Sequence, residues 1–65
     1  MPDYELRVRG RRIGERFTSD VHPGDEPLVI ALLRSTAKRL RVDPKQAELV
    51  TWTGPHRTQR TFRAP

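Results

Sequence analysis

The chain has 65 residues, of which 34% are hydrophobic and none is cysteine, and its formal net charge is +5. This length allows one small core, so we expect a single domain over residues 1–65 with an ordered part over about residues 3–63. The lack of cysteine excludes a disulfide framework and a thiolate zinc site. No apolar run approaches the roughly 18 residues that span a bilayer, and the segment MPDYELRVRG does not resemble a signal peptide. We therefore expect a cytoplasmic protein that does not act at a membrane.

Residues 4–17 (YELRVRGRRIGERF) predict a β-hairpin, because apolar and charged side chains alternate along the segment. Gly10 and Arg11 suit a two-residue turn of type II′, which has glycine first. The position of this turn sets the register of the two strands. The expected cross-strand pairs are Val8 with Ile13, Tyr4 with Phe17, and Glu5 with Arg16.

Residues 28–42 (LVIALLRSTAKRLRV) predict an amphipathic helix that follows a loop containing Pro23 and Gly24. Asp25 is a good N-cap, because its carboxylate can accept hydrogen bonds from the amides of the first turn. The predicted buried stripe consists of Leu28, Leu32, Leu33, Thr36, Ala37 and Leu40. Basic side chains lie on another face of this helix, at Arg34, Lys38 and Arg41.

After a turn at Asp43, residues 47–52 and 57–63 predict two further strands. Phe62 needs an apolar partner on its face of the sheet, and Leu49 on the preceding strand is the expected one. The order strand, strand, helix, strand, strand predicts an α+β fold. We expect a single ββαββ domain with one helix packed on one face of a four-stranded sheet.

Two short segments resemble motifs of ubiquitin-like β-grasp domains. Residues 21–25 (VHPGD) match the approach to the helix in that family, and residues 42–50 (VDPKQAELV) match its proline-containing turn into the third strand. The resemblance implies a β-grasp-like sheet in which the last strand lies centrally and runs parallel to the first. The last segment has only Phe62 as a large apolar residue, so a hairpin–helix–hairpin with another strand order stays open.

The chain departs from the ubiquitin pattern in two respects that concern function. It has no C-terminal Gly-Gly, so we expect no conjugation, sulfur carriage or adenylation at its C-terminus. Of the hydrophobic patch with which ubiquitin binds its partners, only Val50 has a counterpart. The resemblance therefore implies a binding fold rather than a conjugated modifier.

The sequence carries few groups that could support catalysis. His22 and His56 are the only histidines, and neither lies at metal-ligand spacing from a second pair of ligands. Ser19 and Ser35 lack the surroundings of an activated nucleophile, and the chain has no glycine-rich phosphate loop. The segment DVHPGDE is interpreted as a helix-entry loop rather than a cation site. We expect no enzymatic activity, no metal and no cofactor.

The leading functional hypothesis is a small non-catalytic module that binds another protein through its open sheet face or an edge strand. The predicted contacts are Arg7, Arg9, Val50 and Trp52. The ubiquitin-like resemblance implies that these side chains point away from the core and that Leu49 points into it. The residues alone leave the facing of the third strand open, because Leu49 and Val50 are both apolar, and core packing is the alternative for Trp52. Tryptophan and arginine are enriched at binding hot spots. The partner is expected to be an acidic protein surface or, by edge pairing, a second copy of the chain. A chain this short and rich in arginine suits an accessory or phage-encoded regulator.

Nucleic-acid binding is the alternative hypothesis, because positive charge attracts phosphates whatever their sequence. The candidate contacts lie on the helix and on the last strand: Arg34, Lys38, Arg41, Arg57, Arg60 and Arg63. The chain has none of the motifs of known nucleic-acid-binding folds. Acidic residues are interspersed among the cations, and a GC-rich genome would by itself enrich arginine.

Overall fold

The computed structural model describes residues 1–65, which form four strands and one α-helix. The elements in chain order are β1 (Asp3–Val8), β2 (Arg11–Thr18), α1 (Glu26–Leu40), a 3₁₀ turn (Pro44–Gln46), β3 (Ala47–Thr53) and β4 (Thr58–Arg63). The strands form one sheet, and α1 packs on one of its faces. The α+β class and the ββαββ order predicted from the sequence are confirmed. The helix has 15 residues and is neither long nor apolar enough to cross a bilayer.

The strand order across the sheet is β2-β1-β3-β4, and every neighbouring pair is antiparallel. β3 therefore lies beside β1. The ubiquitin-like resemblance implies that the last strand would take this position and run parallel to β1. β4 is an edge strand, which is the other strand order considered from the sequence. The apolar content of the strands explains the difference. β3 buries Ala47, Leu49 and Val50, whereas Phe62 is the only buried residue of β4.

The first hairpin turns one residue earlier than the sequence predicted. Arg9 and Gly10 form the two-residue turn with φ of 54° and 78°, and Val8 pairs with Arg11. Positive φ at both central positions is the type I′ pattern, which follows the twist of paired strands. The predicted Gly10-Arg11 turn and the Val8–Ile13 pair are wrong, because the first left-handed position is occupied by an arginine rather than by the glycine.

A β-bulge in β2 restores the expected register at the other end of the hairpin. Ile13 pairs with Leu6 and Phe17 pairs with Tyr4, so β2 has two more residues than β1 between these pairs. Gly14 lies in the bulge with a φ of 72°, a conformation that favours glycine. The predicted Tyr4–Phe17 pair is confirmed, and their ring centroids lie 6.0 Å apart.

Both ends of α1 are capped. The Asp25 side chain accepts a hydrogen bond from the Leu28 N–H at 3.5 Å, which satisfies one amide of the first turn. At the C-terminus Arg41 adopts a left-handed conformation with a φ of 61°. The Val42 N–H then donates to the Ala37 carbonyl at 3.0 Å, a hydrogen bond typical of a helix that ends on a left-handed residue.

The core lies between α1 and the sheet. Its buried members are Tyr4, Leu6, Val29, Leu33, Ala37, Ala47, Leu49 and Phe62. Leu28 was predicted to be buried but is 52% exposed, and Val29 faces the sheet instead. Adjacent helical residues point roughly 100° apart, so only one of the two can face the sheet. The predicted pairing of Leu49 with Phe62 is confirmed.

Candidate functional site

One face of the sheet carries no helix, and we call it the open face. Residues alternate between the two faces along each strand, so the neighbours of core residues point toward the open face. The side chains on this face are Asp3, Glu5 and Arg7 of β1, Arg12, Arg16 and Thr18 of β2, Glu48, Val50 and Trp52 of β3, and Gln59, Thr61 and Arg63 of β4. The open face therefore combines arginines, carboxylates and one aromatic ring, with no element above it.

Glu5 is the most buried charged residue of the open face, with 5% of its surface exposed. It accepts hydrogen bonds from Arg7 Nε at 2.6 Å and from Arg16 Nη2 at 3.3 Å. Burial alone would raise the pKa of this carboxyl, but the hydrogen bonds and positive charges of Arg7 and Arg16 outweigh burial and lower the pKa. Glu5 is therefore ionised at neutral pH and holds two guanidinium groups. The predicted contact of Glu5 with Arg16 is present as a side-chain ion pair, although the strand register shifts at this position.

Arg16 links this ion-pair cluster to Trp52. Its guanidinium carbon lies 4.2 Å from the centroid of the indole ring, within the range of cation–π attraction. The guanidinium of Arg57 lies 6.0 Å from the same ring. Trp52 is half-buried and points away from the core, since it lies on the face of β3 opposite to the buried Leu49. The open face thus presents an aromatic ring between two guanidinium groups.

Strand order is what brings Arg16 and Trp52 together. They belong to β2 and β3, which are not neighbours, since β1 lies between them. Arg16 therefore reaches across β1 at the position of Glu5. Sequence reasoning missed Arg16 as a site residue. Its only sequence signal was the expected pairing with Glu5. That pairing does not indicate contact with Trp52 of β3, which lies much further along the chain.

Val50 and Arg9, two of the contacts predicted from the sequence, differ from the prediction in burial and in position, respectively. Val50 points toward the open face but is only 1% exposed, so it is part of the packed floor of that face and not an accessible contact. Arg9 lies in the hairpin turn rather than on the outward side of β1. Arg7 and Trp52 are the predicted residues that the structure brings to one face with accessible side chains.

Arg57 and Arg63 belong to the second hairpin, which β3 and β4 form, and their side chains lie at opposite ends of the open face. Arg57 Nη2 lies 3.7 Å from Asp3 Oδ2, and Arg63 Nη2 lies 3.1 Å from Glu48 Oε1. Both arginine side chains are mostly exposed, so solvent screens these ion pairs and they contribute little to stability. Each pair brings one positive and one negative charge to its end of the face.

The other candidate nucleic-acid contacts lie away from the open face. Arg60 points to the helix side of the sheet, where its Nη1 donates to the Pro23 carbonyl at 3.4 Å. The Arg60 guanidinium also lies 5.0 Å from the Phe62 ring centroid. The helix cations are exposed and form no salt bridge: Arg34, Lys38 and Arg41. The structure therefore divides the candidate nucleic-acid contacts among several surfaces, and only Arg34 and Arg63 line the same groove.

A shallow groove of about 370 Å³ lies beside Trp52, between the helix-entry loop and the turn of the second hairpin. Its lining includes His22, Gly54 and Arg60. The Nδ1 atom of His22 accepts a hydrogen bond from the Gly24 N–H at 2.8 Å, so this nitrogen is engaged within the loop. No three histidine, aspartate or glutamate side chains lie close enough together to hold a metal ion.

Comparisons of the chain with protein-family models, with curated proteins and with solved structures found no match. These comparisons neither support nor contradict the ubiquitin-like resemblance.

Proposed function

We propose that this chain is a small non-catalytic module that binds an acidic surface of another protein through its open face. The observation that carries the proposal is the half-buried ring of Trp52 at 4.2 Å from the Arg16 guanidinium, on a face with no covering element. Tryptophan and arginine are the residue types most enriched at binding hot spots. Both side chains are held by a sheet, so binding costs little of their conformational freedom.

The charge of the open face favours an acidic partner. Arginines outnumber carboxylates there: Arg7, Arg12, Arg16, Arg57 and Arg63 against Asp3, Glu5 and Glu48. Glu5 is shared by two guanidinium groups, and Arg12 forms no ion pair. Positive charge therefore remains after internal pairing, and it attracts and orients a negatively charged partner.

We place the module in the cytoplasm, as an accessory or regulatory protein. A chain without cysteine does not depend on an oxidising compartment for its fold. The engagement of His22 Nδ1 by the Gly24 N–H supports a structural role for that histidine rather than a catalytic one. These features favour binding over chemistry.

The test uses Trp52, the only tryptophan, as a fluorescent reporter. Peptides selected against the protein from a random display library are titrated against the wild type, Arg16→Met and Arg34→Met. Each substitution removes one positive charge, the first from the open face and the second from α1, on the other side of the sheet. We expect acidic peptides that change Trp52 fluorescence and bind Arg16→Met about fivefold or more weakly, whereas Arg34→Met changes affinity less than about twofold.

Two results would overturn this proposal. The first is a set of selected peptides with no excess of acidic residues. The second is an equal loss of affinity in Arg16→Met and Arg34→Met, which would mean that only net charge matters. Circular dichroism of both variants provides the control that the fold is retained.

Nucleic-acid binding is the second candidate, because bases of single strands stack on aromatic rings such as Trp52. Arg16 already lies 4.2 Å from this ring, so a base would have to displace it or use the remaining ring surface. Tight binding of a single-stranded oligonucleotide at about 50 mM salt, with a steep loss by about 200 mM, would favour this candidate over protein binding.

A further inference from the structure

β4 is an edge strand whose outer backbone groups have no partner within the chain. Its only neighbouring strand is β3. None of the backbone hydrogen bonds outside the helices and strands involves Thr58–Arg63. The strand has six residues, contains neither glycine nor proline, and pairs with β3 in an unbroken register. Such an edge is a template for the addition of another strand.

The opposite edge is less suited to strand addition. β2 contains the bulge at Gly14, and a bulge bends a strand and interrupts regular pairing. The Leu40 side chain lies against Gly14, with its Cδ1 3.0 Å from the position that a Cβ atom would occupy. The end of α1 therefore packs against this part of β2. A new strand fits β4 better than β2.

The side chains of β4 define which kind of strand it would accept. All of them except Phe62 are exposed. Arg60 points to the helix side and Arg63 to the open face, because they lie three residues apart on an alternating strand. Residues 54–65 contain no acidic side chain. A strand added beside β4 would therefore meet a guanidinium group on each face of the sheet.

We infer that β4 binds an extended acidic peptide segment as a fifth strand, with two carboxylates three residues apart that face Arg60 and Arg63. Backbone hydrogen bonds would supply affinity, and the carboxylates would supply selectivity. The inference rests on the proposed protein-binding function but assigns this binding to the edge of the sheet. A second copy of β4 does not fit, because the only charged side chains that self-pairing brings together are arginines, and like charges across strands are destabilising.

The test is amide hydrogen exchange of the full chain with and without a synthetic peptide. The peptide has about eight residues, a common strand length, with two glutamates three positions apart among valine and threonine. A control peptide has lysine in place of glutamate. At about ten times the Kd, a bound peptide slows exchange of the amides it covers by about tenfold. We expect this protection within Thr58–Arg63 for the glutamate peptide alone, and no protection within Arg11–Thr18.

Charge reversal tests the contribution of the arginines. Arg60→Glu should weaken binding of the glutamate peptide about fivefold or more, because an attractive cross-strand pair becomes a repulsive one. Arg63→Glu provides a second test on the other face of the sheet. Lys38→Glu makes the same change in net charge at an exposed position of α1 and should alter affinity less than about twofold. Equal weakening by all of these variants would overturn the inference.

The outcomes distinguish the edge from the open face. Protection of β4 amides supports the edge inference. A change in Trp52 fluorescence without protection of β4 would overturn it while supporting the proposed open-face function. Protection of β2 would overturn the choice of edge, and binding of oligonucleotides but of no acidic peptide would overturn both proposals.

Discussion

The guanidinium carbon of Arg16 lies 4.2 Å from the centre of the Trp52 ring, although β1 separates the strands that carry them. Glu5, on the intervening strand, accepts a hydrogen bond from the same guanidinium at 3.3 Å. One arginine thus connects three strands of the open face. Its charge is balanced by Glu5, while its flat surface covers Trp52. The stability of this face and its binding properties therefore depend on the same side chain.

Arg16→Met is expected to expose Trp52 while keeping much of the apolar contact of the arginine stem. Loss of the cation–π contact and of a partly exposed hydrogen bond should lower the free energy of unfolding by about 1 kcal/mol. Acrylamide quenching of Trp52 fluorescence should increase. Arg12→Met is the matched control, because Arg12 lies on the same strand without an ion pair or a ring contact. Equal quenching in the two variants would contradict the contact.

Glu5 should make stability depend on acidic pH. Burial acts to raise the pKa of Glu5, but Arg7 and Arg16 prevail and hold it below the unperturbed value of 4.5. A lowered folded pKa means that the ionised carboxylate stabilises the fold fully above the unfolded pKa. This contribution is lost as pH falls through the folded pKa. Glu5→Gln should therefore be less stable than the wild type at neutral pH, and its stability should decline less on acidification.

Urea unfolding at a series of pH values from neutral to below 4.5 checks the role of Glu5. Glu15→Gln is the control, because Glu15 is exposed and forms no ion pair. We expect the Glu15→Gln profile to follow that of the wild type. If the profile of Glu5→Gln also runs parallel to the wild type, the carboxylate has no special role in acid stability.

Gly14→Ala should destabilise the protein through both backbone strain and a clash. The φ of Gly14 is +72°, and a Cβ there would lie 3.0 Å from Leu40 Cδ1. Gly10→Ala is the matched control, because Gly10 has a φ of +78° but no atom within 4 Å of the added Cβ. We expect a loss of about 1 kcal/mol for Gly10→Ala from strain alone, and a larger loss for Gly14→Ala. Identical midpoints of urea unfolding would argue against packing of α1 on the bulge.

Phe62→Ala should lower the free energy of unfolding by about 3 kcal/mol or more, because it removes a buried aromatic ring and leaves a cavity. Phe62 is 7% exposed and lies opposite Leu49 in the core. Thr61→Ala changes the exposed neighbour on the other face and should have an effect of less than about 0.5 kcal/mol. Thermal unfolding distinguishes the two. Unchanged stability of Phe62→Ala would mean that β4 does not complete the core.

Strand alternation allowed part of the site to be predicted. The meeting of Leu49 and Phe62 in the core was predicted, because alternation is a local property that holds in any strand order. The facing of Trp52 was left open by the residues alone, because Leu49 and Val50 are both apolar and lie on opposite faces of the strand. Exposure on the open face did not follow from alternation. Val50 faces outward but is buried, because its accessibility depends on side chains from neighbouring strands.

The register of the first hairpin could be predicted at one end only. The pair of Tyr4 with Phe17 was expected for a regular hairpin with its turn at Gly10. In the structure the turn begins at Arg9 and the bulge at Gly14 compensates for the shift. The sequence does not indicate that Arg9 adopts a left-handed backbone conformation, since most turns with positive φ use glycine or asparagine.

By itself, the sequence determined the α+β class, the order of the elements and the side chains that share a face of each strand. These features depend on local periodicity, turn residues and helix caps. Only the tertiary structure decided that β3 rather than β4 lies beside β1, and hence that Arg16 covers Trp52 and that β4 is an open edge. The pairing of distant strands depends on how much apolar surface each arrangement buries, and this quantity belongs to the whole chain rather than to any segment of it.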